Sequence, residues 1–256
     1  TDRNQFVKFN FVCSKCGRIY IGVPQGANLG PLLFNIMIND ISSLNTSSTL
    51  YMYADDLLAI FPVDPANNSS NIQRLENDIQ LLKGFYENNH LKINCDKSKY
   101  LLIGTDTSYL SEILERYSIQ KVDELKYLGF LIDPELKLIG QIDKICKSVA
   151  QGINALRFLR TNLSTHALLN FFHAHIQSQI SYCAFALLRC RTMDIERLQR
   201  LQSKALRVIF NLSDSHSSFE LFTNEAKEIM CVCGLIYYSA LMMVKKSLFC
   251  TDDSLP

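Results

Sequence analysis

The stretch Leu50-Tyr51-Met52-Tyr53-Ala54-Asp55-Asp56-Leu57-Leu58-Ala59-Ile60-Phe61 decides how the rest of the chain is read. Two apolar runs, Leu50 to Tyr53 and Leu57 to Phe61, flank a short polar break, which is the pattern of a β-hairpin. The Asn-Gly or Asp-Gly pair that usually builds a tight hairpin turn is absent. Two adjacent aspartates stand at the tip instead. Neighbouring carboxylates repel each other, so solvent or a divalent cation must offset the repulsion. Taken by themselves these residues read most simply as an exposed turn, where Asp is common. A cation site needs support from elsewhere in the sequence.

Upstream, Gln5 to Val12 alternates, with Val7, Phe9 and Phe11 on one side and Lys8 and Asn10 on the other, which predicts a half-buried strand. Arg18 to Gly22 reads as its return partner, with Ser14-Lys15 near the turn. Cys13 and Cys16 have the spacing of a zinc knuckle, but a tetrahedral zinc site needs four ligands and no second pair follows at a suitable distance, so a plain hairpin tip is the expectation. Next comes Gly22-Val23-Pro24-Gln25-Gly26-Ala27-Asn28-Leu29-Gly30-Pro31, with three Gly and two Pro in ten residues. Such a loop lets its backbone approach another molecule closely. Pro31 suits the first turn of a helix that continues through Leu32, Leu33, Ile36 and Met37 to about Ser42.

Downstream, Asn71 to His90 carries Ile72, Leu75, Ile79, Leu82 and Phe85 at helical spacing. Leu91 to Ile93 and Tyr100 to Ile103 read as short strands. Ile119 to Val122 and Lys126 to Ile132 read as a strand pair with Gly129 inside the second strand, where Gly marks a bulge or a close backbone approach. Mixed helices and hairpins predict an α+β architecture: an antiparallel sheet with helices on one face. From about Gly140 the pattern becomes helical, with helices expected over Ile142 to Leu159, Thr165 to Leu188 and Ile195 to Phe210. On the last of these Arg197, Arg200, Lys204 and Arg207 make one basic stripe opposite Leu198, Leu201, Ala205 and Ile209. Either the stripe tracks a nucleic-acid backbone or it is a solvated face.

At 256 residues with 48% hydrophobic and 20% charged side chains, the chain has the composition of an ordinary folded protein. Its net charge of +1 points to no partner, but the distribution does. Lys144 to Arg207 holds ten basic and two acidic residues, leaving 16 basic against 23 acidic elsewhere. A basic block on an otherwise acidic chain suggests that a polyanion meets it. Nine scattered cysteines without a scaffold spacing fit a reducing, intracellular compartment, nucleus or cytoplasm. No apolar run reaches the ~18 residues that cross a bilayer, so no membrane partner is expected. The sequence begins Thr1-Asp2-Arg3 and ends near Asp252-Asp253-Ser254, which suggests a piece of a longer chain.

The combination Gly22-Val23-Pro24-Gln25-Gly26, Leu29-Gly30-Pro31-Leu32-Leu33-Phe34, Ile38-Asn39-Asp40 and Tyr53-Ala54-Asp55-Asp56 resembles the reverse transcriptases of non-LTR (LINE-type) retrotransposons. The likeness continues at Asn89 to Lys99, at Leu125-Lys126-Tyr127-Leu128-Gly129-Phe130, at Ile142 to Lys147 and at Leu198 to Arg207. The resemblance implies a right-hand polymerase, with a palm over residues 1–135 and a helical thumb and extension over 136–212. The fingers are missing, and residues 213–256 form a helical segment it does not place. It implies addition of deoxynucleotides to a primer 3′ end with two Mg²⁺ ions, Mn²⁺ being the alternative. The partners it implies are an RNA template, a DNA primer and deoxynucleoside triphosphates.

By the same resemblance Asp55 is a direct metal ligand and Asp56 an assisting one. Pro24, Gln25, Gly26 and Tyr53 would lie at the nucleotide and template, and Lys97 near the leaving phosphate. Leu128 and Gly129 would hold the primer end. The family's other catalytic aspartate is expected upstream of residue 1. Ala27 stands where Ser is usual, Leu136 to Gln141 lacks the family's Trp and His, and no Trp stands near Leu188. These departures keep a second expectation open: a catalytically dead remnant that retains the fold and at most binds nucleic acid.

Overall fold

Strand β1 (Arg3–Gln5) pairs antiparallel with β4 (Gly17–Ile19), and between them β2 (Lys8–Phe9) pairs with β3 (Val12–Cys13). This is a computed structural model, and it describes residues 3–20, 22–24, 26–104 and 107–249. The single strand expected over Gln5 to Val12 is thus divided among β1, β2 and β3, and the chain reverses at Asn10, whose φ of 52° is a left-handed angle that Asn tolerates. Phe9, Phe11 and Val12 stay exposed rather than burying one face. The chain falls into two compact units, residues 1–98 with 107–117, and residues 99–106 with 118–256.

In the first unit Pro31 sits in the opening turn of α1 (Gly30–Asn39), as expected, and a 3₁₀ turn over Asp40–Ser43 ends it. Strands β5 (Thr49–Tyr53) and β6 (Asp56–Ile60) form the expected hairpin. Helix α2 (Asn68–Asn88) begins where the Asn67 side chain accepts from the Ser70 amide, an N-cap that satisfies an otherwise orphaned donor. A 3₁₀ turn over Ser108–Leu110 leads into α3 (Ser111–Arg116), which the sequence pattern had not marked. Leu110 and Ile113 bury against Leu75 of α2, with Ile72, Ile79, Phe61 and Val63 around them. Buried Asn71 braces this packing: its amide donates to Asp64 O and Tyr109 Oη and accepts from the Asp64 amide. Leu91 to Ile93 is not a strand; it is irregular and leads into a turn in which the Lys97 and Ser98 amides donate to Asn94 O.

The second unit holds β7 (Lys99–Tyr100), which pairs in parallel with β8 (Gln120–Lys121). It also holds the hairpin of β9 (Leu125–Tyr127) and β10 (Phe130–Ile132). The expected pairing of Ile119 to Val122 with Lys126 to Ile132 is therefore corrected, and so is the place of Gly129. Leu128 and Gly129 are the turn, with φ of 46° and 85°. Positive φ at both positions is what a two-residue type I′ turn needs to match the strand twist.

The mixture of helices and paired strands is α+β, but the expected single antiparallel sheet is not assembled. Among the described residues the strands form five separate two-stranded ribbons. Most are two or three residues long, too short to offer a neighbour a ladder on both sides.

The helical body carries the large core. Helix α4 (Ile139–Leu159) places Ile142, Ile145, Val149, Ile153 and Leu156 on one buried face, as their spacing predicts. The second expected helix, Thr165 to Leu188, is broken. Helix α5 (Thr165–Phe172) runs through a π turn at His173–Gln177 into α6 (Ser178–Ser181). Cys183 then turns left-handed at φ 54°, and a 3₁₀ segment covers Ala184–Arg189. Gly152 of α4 lets the π turn approach closely: a Cβ there would lie 2.7 Å from Ile176 Cγ1.

Helix α7 (Thr192–Phe210) packs along α4 through Leu198, Ala205, Leu206 and Ile209. Two of its glutamines hold the segment that leads into the last helix. Gln202, fully buried, donates to Gln177 Oε1 and Met230 O, and Gln199 Oε1 accepts from the Val232 amide. After α8 (Ser218–Glu220) and a π turn at Leu221–Glu225, α9 (Val232–Phe249) ends the described chain. The reading that no stretch is long and apolar enough to cross a bilayer is corrected. The 18 residues of α9 pass by length and a mean hydropathy of 1.3, and 11% of that window is buried.

Candidate active site

The register of the β5–β6 hairpin pairs Tyr53 with Asp56, leaving Ala54 and Asp55 as a two-residue loop. Ala54 takes φ of 52°, where a tight hairpin usually has Gly. The two carboxylates are therefore not equivalent. Asp55 stands on the loop, and Asp56 opens β6 opposite Tyr53. Both are exposed, and neither carboxylate takes a hydrogen bond or ion pair from another described residue.

The entry to the hairpin is anchored by Asp78 of α2, buried at 1% exposure. Its carboxylate accepts from the Ser47 amide at 2.8 Å, the Ser48 amide at 2.8 Å and Ser48 Oγ at 2.5 Å. Leu50 and Met52 of β5 alternate with the more exposed Thr49, Tyr51 and Tyr53. Tyr53 thus shares one face of the ribbon with Asp56.

The glycine loop is a pair of tight turns. The Ala27 amide donates to Pro24 O and the Gly30 amide to Ala27 O, which leads directly into α1. Gly26 takes φ of 82°, an angle only Gly adopts without strain. Gly30 is buried, and a Cβ on it would meet Val23 Cγ2 at 3.4 Å. Pro24 and Gly26 are exposed, and Gln25 lies outside the described residues. Lys97 is exposed on the Asn94 turn, its amide donating to Asn94 O. Leu128 and Gly129 belong to the other unit. Among the described residues no group of three or more His, Cys, Asp or Glu gathers as a metal site would.

The four cations of the α7 stripe have different surroundings. Arg197 pairs with Asp143 of α4, and that carboxylate raises the guanidinium above its ordinary value. Arg207 donates through Nε and Nη2 to His216 O and through Nη2 to Ser218 Oγ, so it staples the turn just beyond its own helix. Among the described residues Arg200 makes only an intrahelical bond, to Glu196 O. Lys204 has no ion-pair partner among the described residues. Between α4 and α7 an open groove of about 360 Å³ is lined by Cys146, Lys147, Arg197, Arg200 and Leu201.

The model of the reverse transcriptase (RNA-dependent DNA polymerase) family matches residues 5–132, half of the chain. The chain belongs to the reverse transcriptase family. It is 25% identical over 201 residues to the probable RNA-directed DNA polymerase from transposon BS of Drosophila melanogaster, covering 73% of this chain and 22% of that protein. It is 24% identical over 201 residues to the RNA-directed DNA polymerase from mobile element jockey of Drosophila melanogaster, covering 75% of this chain and 22% of that protein. The chain thus spans about a fifth of the length of the curated relatives it matches. The resemblance read from the glycine loop and the Asp55-Asp56 hairpin is borne out.

Pattern reading left two buried polar contacts unmarked, one in each unit. They are Asp78, which anchors Ser47 and Ser48, and Gln141, which accepts from the Leu131 amide. A signal existed for Asp78, which sits between Leu75 and Ile79 on the helix side that carries the apolar stripe.

Proposed function

We propose that this chain is the palm and thumb portion of an RNA-directed DNA polymerase that extends a primer 3′ end by two-metal phosphoryl transfer. The palm is taken as residues 1–135 and the thumb with its extension as 136–212. The observation that carries this reading is the pair of exposed, unpartnered carboxylates, Asp55 and Asp56, on a tight hairpin downstream of the glycine loop.

Carboxylate oxygens with no other partner are the donors that Mg²⁺, or Mn²⁺, takes. Asp55 would hold the ion directly, and Asp56, fixed by its pairing with Tyr53, would assist. Bound there, the ions would neutralise charge at the attacking 3′ oxygen and the leaving pyrophosphate. The remaining work falls to the chain. The turns around Pro24, Gln25 and Gly26 would let backbone lie against the nucleotide and template, with Tyr53 beside them. Lys97 would present its ammonium to the departing phosphate. Leu128 and Gly129 would hold the primer end. Arg200 and Lys204, with the other cations of the α7 stripe, would meet duplex phosphates.

The test is primer extension on an RNA template by the full-length protein in Mg²⁺. Metal-borne charge stabilisation is worth several kcal/mol, and each tenfold in rate is about 1.4 kcal/mol. Asp55→Asn should therefore slow extension by about a thousand-fold while duplex binding persists. Undiminished extension would remove Asp55 from the chemistry. A wild-type protein that binds duplex but never extends it would return the non-catalytic reading.

A further inference from the structure

We infer that Tyr182 and Lys144 are positioning residues that fix the Leu128–Gly129 turn and, through it, the primer terminus. This rests on the reading of that turn as the element that holds the primer end. Two side chains from the helical body close on the two carbonyls of the turn. Tyr182 Oη donates to Leu128 O at 2.5 Å, and Lys144 Nζ donates to Gly129 O. A third contact ties the adjoining strand, where buried Gln141 Oε1 accepts from the Leu131 amide at 3.1 Å.

The turn has reason to need them. It joins strands of three residues each, which are marginal as an isolated ribbon. Its first residue is Leu128 at φ 46°, an angle that a side-chain-bearing residue adopts only under constraint. A two-residue turn of this kind would sample other conformations if its carbonyls were free. Tyr182 is placed for the task by a break in its own helix. Helix α6 ends at Ser181, Tyr182 is extended, and Cys183 is left-handed. The tyrosine thereby leaves the helix surface and reaches a residue 54 positions earlier. Lys144 reaches the turn from a separate element, off the second turn of α4. The turn is consequently carried by the helical body, and a shift of α4 or of the Tyr182 corner moves it.

The experiment uses the full-length protein on an RNA template with a DNA primer bearing 4-thiothymidine, either at the 3′ terminus or ten nucleotides inside the duplex. In wild type the terminal probe should photo-crosslink to Leu128 or Gly129. Loss of one solvent-exposed hydrogen bond to the turn corresponds to about five-fold. Tyr182→Phe, which keeps the ring and so the fold, and Lys144→Met should each lower the terminal yield by about five-fold. The internal yield should stay within about two-fold, whereas a general loss of fold or duplex binding would lower both alike. Wild-type terminal crosslinking that both variants leave unchanged would overturn the inference and spare the primer-holding reading. Equal loss at both probe positions would overturn it as well. No wild-type crosslink from the terminal probe would overturn the primer-holding reading, and the inference with it.

Discussion

At Asp78 one carboxylate with three donors on it is almost fully withdrawn from water. It caps the segment that delivers the chain into β5, so the position of Asp55 depends on a side chain 23 residues further along the sequence. Removing one partner of a buried, charge-assisted set leaves the donors unsatisfied. Asp78→Ala should therefore lower the stability of the first unit by about 3 kcal/mol in urea unfolding. Asp55→Ala, on an exposed loop, should change stability by less than about 0.5 kcal/mol. A reversed order would mean that the loop holds itself. The contrast also shows what residue-level reading can reach. Asp55 and Asp56 announce themselves by adjacency, and the neighbouring glycine loop gives them a chemistry. Asp78 and Gln141 matter through partners outside their own helices, which the pattern of a helix can flag as buried but cannot name.

At the scale of an element, α7 separates by function along one stripe. Its spacing of three, four and three residues was legible, and so was the apolar face beneath it. The fate of each cation was not, because Asp143 and His216 lie outside the helix. Arg200 and Lys204 have no ion-pair partner among the described residues, and they are the two cations proposed to meet phosphates. Arg200→Ala and Lys204→Ala should each weaken duplex binding and reduce the slope of log affinity against log salt by about one. Arg207→Ala should act differently, costing about 1–2 kcal/mol of stability as the His216 carbonyl loses its donors. Fluorescence anisotropy across a salt series decides the first pair: an unchanged slope would make the stripe a solvated face. The strands were read less well than the helices. A period of 3.6 over 20 residues is a long signal, whereas strands of two or three residues are shorter than the alternation needed to detect them. Gly129 was legible as special, but its role as a turn depended on Leu128 also taking a positive angle.

The whole molecule divides unevenly. The buried cluster of the second unit runs through α4, α5, α7 and α9, whereas the α2–α3 cluster of the first centres on Leu75, Leu110 and Ile113. Local opening follows the amount of apolar surface each unit buries. Backbone amides inside α4 and α7 should therefore exchange with solvent at least about a hundred-fold more slowly than those of β5 and β6. Equal protection would mean one cooperative unit. The strand pairs have a consequence of another kind. A two-stranded ribbon has an open edge on each side, and an open edge is a template on which a further strand can add. At β2 and β3 that edge is flanked by Phe9, Phe11 and Val12, each at least 74% exposed. Within that ribbon, residues 8–13, Lys8 supplies the only charge to repel a second copy. Any stacking of copies edge to edge as concentration rises would therefore begin at the shortest strands of the chain.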